Sequence, residues 1–337
     1  MEKVLLTEED TFVAFSLPGE SKIQLYKHAD DGKHQFVIHP FIRNSVDTTF
    51  IKCTSIITNP IIQFKKHTGN TIPETKKGDY TLQAAKLLKH IEHSQFSKAI
   101  LSRIKKIELV NPDYGNIFRS LVNTYQKAFC YFFNIPGQGS WMGASPEVLL
   151  KSDSKGFETV ALAGTLANPE CGAPAWTTKE KEEQQIIVDY VKDKLDERYI
   201  KYQLEGPRNS VAGKVVHLKS VFSSSHAIDP VDVALALHPG PAISGYPVDK
   251  AITFITQIEL HKRDYYCGFL GPVSDHHTTL FINLRCMQLF KDAVSIYVGG
   301  GFTKDSIIES EWQETELKSQ TLLAVLEDSY LALDGIK

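Results

Sequence analysis

The chain has 337 residues, 42% hydrophobic and 10% aromatic, with a formal net charge of -3. That is enough apolar material for one large core or two. No basic block marks a nucleic-acid surface, and no run approaches the roughly 20 apolar residues of a bilayer span.

The first ten residues are acidic and carry no signal peptide, so the expectation is a cytoplasmic protein. Cys53, Cys130, Cys171, Cys267 and Cys286 are scattered and never spaced as C-x-x-C. They read as reduced packing residues, with no zinc or disulfide framework. Residues 1 to 94 carry little chemistry. Apolar or alternating runs at 11–16, 35–39 and 56–64 predict strands, followed by a polar loop over 65–80. Leu82, Ala85, Leu88 and Ile91 then predict an amphipathic helix over 81–93.

Chemistry begins in the predicted strand 96–103, where Lys98 shares a face with Ile100, Ser102 and Ile104. A lysine facing an apolar interior loses preference for its charged form and becomes usable as a base near neutrality, although most lysines near a strand end reach solvent. A helix over 117–127 and a strand over 129–135 follow. Glu147 comes directly after Pro146 and before an apolar strand. It is either an exposed turn residue, the common case, or a general acid whose pKa partial burial would raise. Residues 160–165 read as a strand running into a Gly turn, where a backbone can approach a substrate. Thr177 and Glu180 make a capping box, and in the helix beyond it Glu183 prolongs the stripe of Ile186, Ile187 and Tyr190. His217 lies in a strand and reads as a hydrogen-bonded core residue more readily than as a catalyst. Residues 237–245 form a Pro/Gly loop, and Arg285, in the predicted strand 280–286, wants an anionic partner.

The last informative stretch is 297–326. Gly299, Gly300 and Gly301 read as a Gly-rich turn between a strand and a helix that opens near Glu309, so backbone N–H groups could approach an anion there. On that helix Glu311, Glu314 and Lys318 share one face, which Leu322 and Val325 continue. Two carboxylates and an ammonium at the head of an apolar stripe are costly to bury unless they are paired or hold a ligand. With Glu183 they place inward-facing acids on two helices, an oxygen-only set that suits Mg²⁺ over zinc.

Taken in order, K-x-x-L-S-R (98–103), G-A-S-P-E (143–147), L-A-G-T (162–165), K-E-K-E-E (179–183), H-L (217–218), L-H-P-x-P-A (237–242), R-x-x-Y-x-G-x-x-G (263–271), L-R-C (284–286), G-G-G (299–301) and E-W-x-E-T-x-x-K (311–318) resemble the chorismate-utilising enzymes. The resemblance implies a single α/β (α+β) domain of two interleaved halves, with a large antiparallel β-sandwich flanked by helices. Residues 1–94 would be its variable part and 95–327 the family core. It implies Mg²⁺ held by Glu183 and Glu314 with Glu311 beside them, and carboxylate oxygen cradled by Gly299, Gly300 and Gly301. Tyr266, Arg285 and Lys318 match positions that hold the enolpyruvyl carboxylate, and Gly164, Thr165, His217, Ala242, Ile243 and Leu284 complete the substrate site. A lysine at the Lys98 position marks family members that add water at C2, with Lys98 as base and Glu147 as the acid at the departing C4 hydroxyl. The implied activity is that of an isochorismate synthase, an isomerase feeding menaquinone or siderophore biosynthesis. It would work as a monomer or homodimer without an amidotransferase partner. The alternatives are salicylate synthase, which goes on to eliminate pyruvate, an aminating enzyme, against which Lys98 argues, and a non-catalytic sensor of chorismate or Mg²⁺. Gly240, Met287 and Phe302 depart from the residues usual in the family.

Overall fold

All seven residues of the strand Phe129–Ile135 are buried, which requires both faces of its sheet to be covered. The computed structural model describes the chain except residues 1, 44–45, 68, 94–95, 168–172, 213–214, 226–227, 275 and 335–337. Phe129–Ile135 lies inside a nine-stranded sheet whose order is Gly245–Tyr246, Lys98–Glu108, Ala293–Phe302, Cys286–Leu289, Gly139–Ser145, Phe129–Ile135, Phe12–Ser16, Gln24–Lys27 and Ile57–Thr58. A second sheet of eight strands runs Gln203–Ala212, Val215–Ser224, Gly156–Ala167, Val148–Asp153, His277–Ile282, Phe269–Val273, His34–His39 and Thr49–Cys53. Neighbours in both are antiparallel. Strands from the first 60 residues complete one flank of each sheet.

The two sheets face each other across one core. Phe129 of the first stacks on Phe281 of the second with ring centroids 4.2 Å apart. Among the described residues six helices surround them: α1 (Lys77–Glu92), α2 (Tyr114–Thr124), α3 (Thr178–Asp196), α4 (Pro230–Leu237), α5 (Val248–Ile258) and α6 (Ile308–Asp334). Helices α2 and α6 cover the outer face of the nine-stranded sheet, packing Phe118, Leu121, Leu322 and Val325 against Phe132, Met142 and Val298. This second layer removes the polar face that an alternating pattern would require. No described helix is long and apolar enough to cross a membrane. Cys53, Cys130, Cys267 and Cys286 are free and buried; Cys171 lies outside the described residues.

Several local expectations change. The triple glycine is not a turn: Gly299, Gly300 and Gly301 are strand residues paired with Ser102, Leu101 and Ile100. The flexibility that suggests a turn serves clearance here. A Cβ on Gly299 would lie 2.9 Å from Tyr266 Oη, one on Gly300 3.0 Å from Glu311 Oε2, and one on Gly301 3.4 Å from Lys98 Cε. Helix α1 begins at Lys77, inside the predicted loop, and buries Tyr80, Gln83, Ala84, Leu87 and Ile91, leaving Leu82 exposed. The strand expected over 280–286 ends at Ile282. The residues beyond it change sheets, and the site begins there.

Candidate active site

Two segments cross between the sheets side by side. Ser145, Pro146 and Glu147 lead from the strand Gly139–Ser145 to Val148–Asp153, and Asn283, Leu284 and Arg285 lead from His277–Ile282 to Cys286–Leu289. Backbone bonds lock them together: Ala144 N donates to Arg285 O at 2.9 Å, and Ile282 N to Glu147 O at 3.0 Å. The crossings therefore deliver a carboxyl and a guanidinium to the same place. Between them and α3, α6 and the strand Lys98–Glu108 lies a cavity of about 420 Å³. Lys98, Glu147, Gly164, Thr165, Glu183, His217, Ala242, Ile243, Tyr266, Leu284, Arg285, Gly299, Gly300, Gly301 and Lys318 all line it. Glu311 and Glu314 do not line it directly. They stand one layer back on α6, Glu311 against Gly300 and Glu314 on Lys318.

Charge in the cavity is unevenly satisfied. Arg285 is largely buried, which lowers its pKa, yet it makes no ion pair with a described residue; Nη1 donates only to the Thr321 hydroxyl. A guanidinium held this way is a seat for a carboxylate supplied from outside. Lys318 Nζ is committed to Glu314 at 2.6 Å and to Gly299 O at 2.8 Å. Lys98 Nζ donates to Glu183 Oε1 at 2.5 Å. That pair corrects the picture of a lysine facing only apolar neighbours, because α3 brings a carboxylate to it across the cavity. The Glu147 carboxyl has no hydrogen bond to a described side chain, and burial raises its pKa, as a general acid requires. His217 Nδ1 sits 3.0 Å from Thr165 Oγ1 and 3.3 Å from Gly164 O, beside the bulge that Gly164 makes at φ +69°.

Behind the cavity is a buried clamp that the chain alone did not reveal. Arg263 binds Glu259 through Nε at 2.9 Å and Nη2 at 2.7 Å. Its remaining donors reach Ile243 O at 2.9 Å and Ile100 O at 2.6 Å, both on cavity-lining residues. Glu259 Oε1 also accepts from Ser102 N at 2.7 Å and Ser102 Oγ at 2.8 Å. Burial pushes the Glu259 carboxyl up, but Arg263 outweighs it and holds the pKa below its usual range. Both side chains are 2% exposed. Removing one partner strands a buried charge, so Arg263→Ala is expected to cost about 3 to 5 kcal/mol, read as a fall in the urea midpoint; a loss under about 1 kcal/mol would remove the clamp from this account. Spacing offers one clue, since Glu259 and Arg263 are four residues apart. Ile100, Leu162, Ile187 and Val298 supply apolar walls that were not predicted as site residues. On the buried side of α6, Arg103 Nε donates to Thr315 Oγ1 at 2.7 Å while its guanidinium lies over the Trp312 ring at 4.0 Å, fixing the helix that carries Glu311, Glu314 and Lys318.

Residues 51–324 match the model of the chorismate binding enzyme family. The chain belongs to that family. It is 28% identical to the isochorismate synthase EntC of Escherichia coli over 246 residues, covering 68% of this chain and 62% of that protein. Against the isochorismate synthase MenF of the same organism it is 26% identical over 249 residues, covering 71% and 58%. The matched parts thus span about three fifths of these relatives. Anthranilate synthase component 1 of Aquifex aeolicus is 23% identical over 333 residues, covering 88% and 65%. Among solved structures, DhbC of Bacillus anthracis, described as a 2,3-dihydroxybenzoate-specific isochorismate synthase, superposes with TM-score 0.77 at 20% identity over 95% of this chain and 96% of that one. MenF of Escherichia coli, the menaquinone-specific isochorismate synthase, gives TM-score 0.77 at 19% identity over 95% and 89%. At these identities the superpositions establish the α/β fold.

The family's usual residues are missing at Gly240, Met287 and Phe302, but none of these lines the cavity. Met287 and Phe302 are fully buried in core clusters, and a Cβ on Gly240 would meet only Leu237 O at 3.4 Å and Tyr190 Cε1 at 3.7 Å. For a metal, the donor chemistry fits a hard cation: Glu311 Oε2 is buried with no hydrogen-bond partner, and burial, with the Glu314 charge adding to it, raises the Glu311 pKa. The predicted ligands are not gathered, however. Among the described residues no three acidic, histidine or cysteine side chains converge as a metal cluster, because Glu183 is drawn to Lys98 and Glu314 to Lys318.

Proposed function

We propose that this protein is an isochorismate synthase, converting chorismate to isochorismate by adding water at C2 as the C4 hydroxyl leaves. The observation that carries the reading is one cavity holding a lysine amine, a carboxyl whose pKa burial raises, and a half-buried guanidinium with no anionic partner among the described residues. Arg285, with Tyr266 and Lys318, would seat the enolpyruvyl carboxylate. Lys98 Nζ takes a proton from the attacking water and the Glu147 carboxyl gives one to the departing hydroxyl, so one water enters, one leaves, and the ring double bonds shift. Lys98 can act as a base only after it has given up a proton, since a protonated amine accepts nothing, and the Glu183 carboxylate that it touches is the acceptor at hand. Gly299 to Gly301 hold the floor of the cavity free of side chains, so the substrate can lie close to the backbone.

Glu183, Glu314 and Glu311 would hold Mg²⁺, which when bound supplies a fixed positive charge for the ring carboxylate. Glu314→Gln is expected to raise the Mg²⁺ concentration for half-maximal activity at least tenfold; saturation at the parent's concentration would remove Glu314 from the ligand set. The enzyme would act in the cytoplasm as a monomer or homodimer without an amidotransferase subunit, feeding menaquinone or siderophore biosynthesis. The test is to incubate the protein with chorismate and Mg²⁺, with a chelator control, and separate the products. Isochorismate without pyruvate, lost on chelation, is the expected result. Salicylate with pyruvate would make it a salicylate synthase, and tight chorismate binding without turnover a sensor.

A further inference from the structure

A second and larger cavity, of about 560 Å³, adjoins the first. Lys98 and Glu183 line both cavities, so their ion pair is part of the wall between them. The outer cavity has an apolar side, formed by Phe96, Ile186 and Pro247, and a charged side on which three lysines stand. Lys179 comes from the first turn of α3, Lys250 from the first turn of α5, and Lys304 from the turn before α6. All three are exposed, and none makes an ion pair with a described residue. A lysine in the first turn of a helix opposes the helix dipole, so Lys179 and Lys250 are not where helix stability would put them. Three ammoniums against the carboxylates of Glu182 and Asp305 leave the mouth with one net positive charge on a chain whose total is -3.

We propose that the outer cavity is the entry vestibule for the dianionic substrate. Its volume admits a molecule the inner cavity can hold, its apolar side accepts a carbocyclic ring, and its lysines collect carboxylates from solvent. Lys98 and Glu183 stand in the shared wall, so an arriving carboxylate meets the Lys98 amine on its way from the outer cavity to the inner one. The inference rests on chorismate being the substrate.

The test compares the parent with the triple variant Lys179→Gln, Lys250→Gln, Lys304→Gln at saturating Mg²⁺, over a range of salt. The substitutions turn the mouth from one net positive charge to two net negative ones, against a dianion. Chorismate association, followed by stopped-flow tryptophan fluorescence, and kcat/KM as an independent readout, are expected to fall about tenfold at low ionic strength and to converge with the parent at high salt. The kcat and the thermal midpoint stay at parent values. The double variant Lys250→Gln, Lys304→Gln, which keeps Lys179 because its charge acts on Glu311, shows the same trend at smaller size. Equal rates and equal salt slopes in parent and variants overturn the vestibule while leaving the proposed activity standing. A parent that forms no isochorismate overturns the activity, and the vestibule with it.

Discussion

Lys98→Ala is expected to lower kcat by about 10² to 10⁴, the range of a lost general base, while chorismate and Mg²⁺ still bind. Lys98 lines the cavity but the proposed carboxylate seat is Arg285, on a crossing between the sheets, with Lys318 on α6, so its removal should leave substrate affinity within a few-fold. Alanine also leaves Glu183 without its partner. Lys98→Gln guards against that, because it keeps a hydrogen-bond donor beside Glu183 and cannot accept a proton. Both variants should be inactive and both should bind chorismate in a calorimetric titration. Turnover near the parent's in either would end the assignment of Lys98 as the base.

Glu147→Gln is expected to lower kcat by a similar factor, again about 10² to 10⁴, and to make the protein more stable at neutral and alkaline pH. Burial raises the Glu147 pKa in the folded chain above its unfolded value. Between those two values the folded state binds more protons than the unfolded state, so stability falls as pH rises. Above the folded pKa the whole cost of a buried carboxylate is present, and below the unfolded pKa none of it is. The parent and the glutamine variant should therefore unfold at similar temperatures in acid, with the variant pulling ahead as pH increases. In the parent, kcat should decline as Glu147 ionises on the alkaline side, since only the protonated carboxyl can donate. A variant that loses activity without gaining stability at high pH would argue that Glu147 is not held protonated by burial.

Much of the site was legible before any fold was known, because reactive residue types stood where pattern called for something else. Glu311, Glu314 and Lys318 head a stripe that becomes apolar at Leu322 and Val325, and Glu147 immediately precedes an apolar strand. The motif order around them carried the family, and through it the lining of the cavity. The apolar walls were harder to single out. Ile100 and Val298 are ordinary strand residues, and the pattern does not distinguish an aliphatic side chain that faces a ligand from one that faces the core. Periodicity also misplaced the buried face of α1, where Leu82 is exposed and Gln83 buried. Helix α1 packs against α6 as well as the strands Lys98–Glu108 and Ala293–Phe302, and a helical pattern does not record how many neighbours a helix has.

The sequence by itself determined which groups are available for chemistry: a lysine on a strand, acids on two helices, and three consecutive glycines before the second of those helices. Only the tertiary structure decided how those groups are spent. Lys98 and Glu183 are 85 positions apart, and their ion pair exists because α3, packed on the strands Gly156–Ala167 and Val215–Ser224 of the eight-stranded sheet, presents Glu183 to a strand of the other sheet. The glycines became a smooth strand because Lys98–Glu108 pairs along their whole length. Arg263 and Glu259 became a clamp because both point into a space closed by Ser102, Ile100 and Ile243. Local spacing governs what a residue's neighbours on one element can be, whereas pairing, clearance and burial depend on surfaces that meet only after the two sheets have closed on one core.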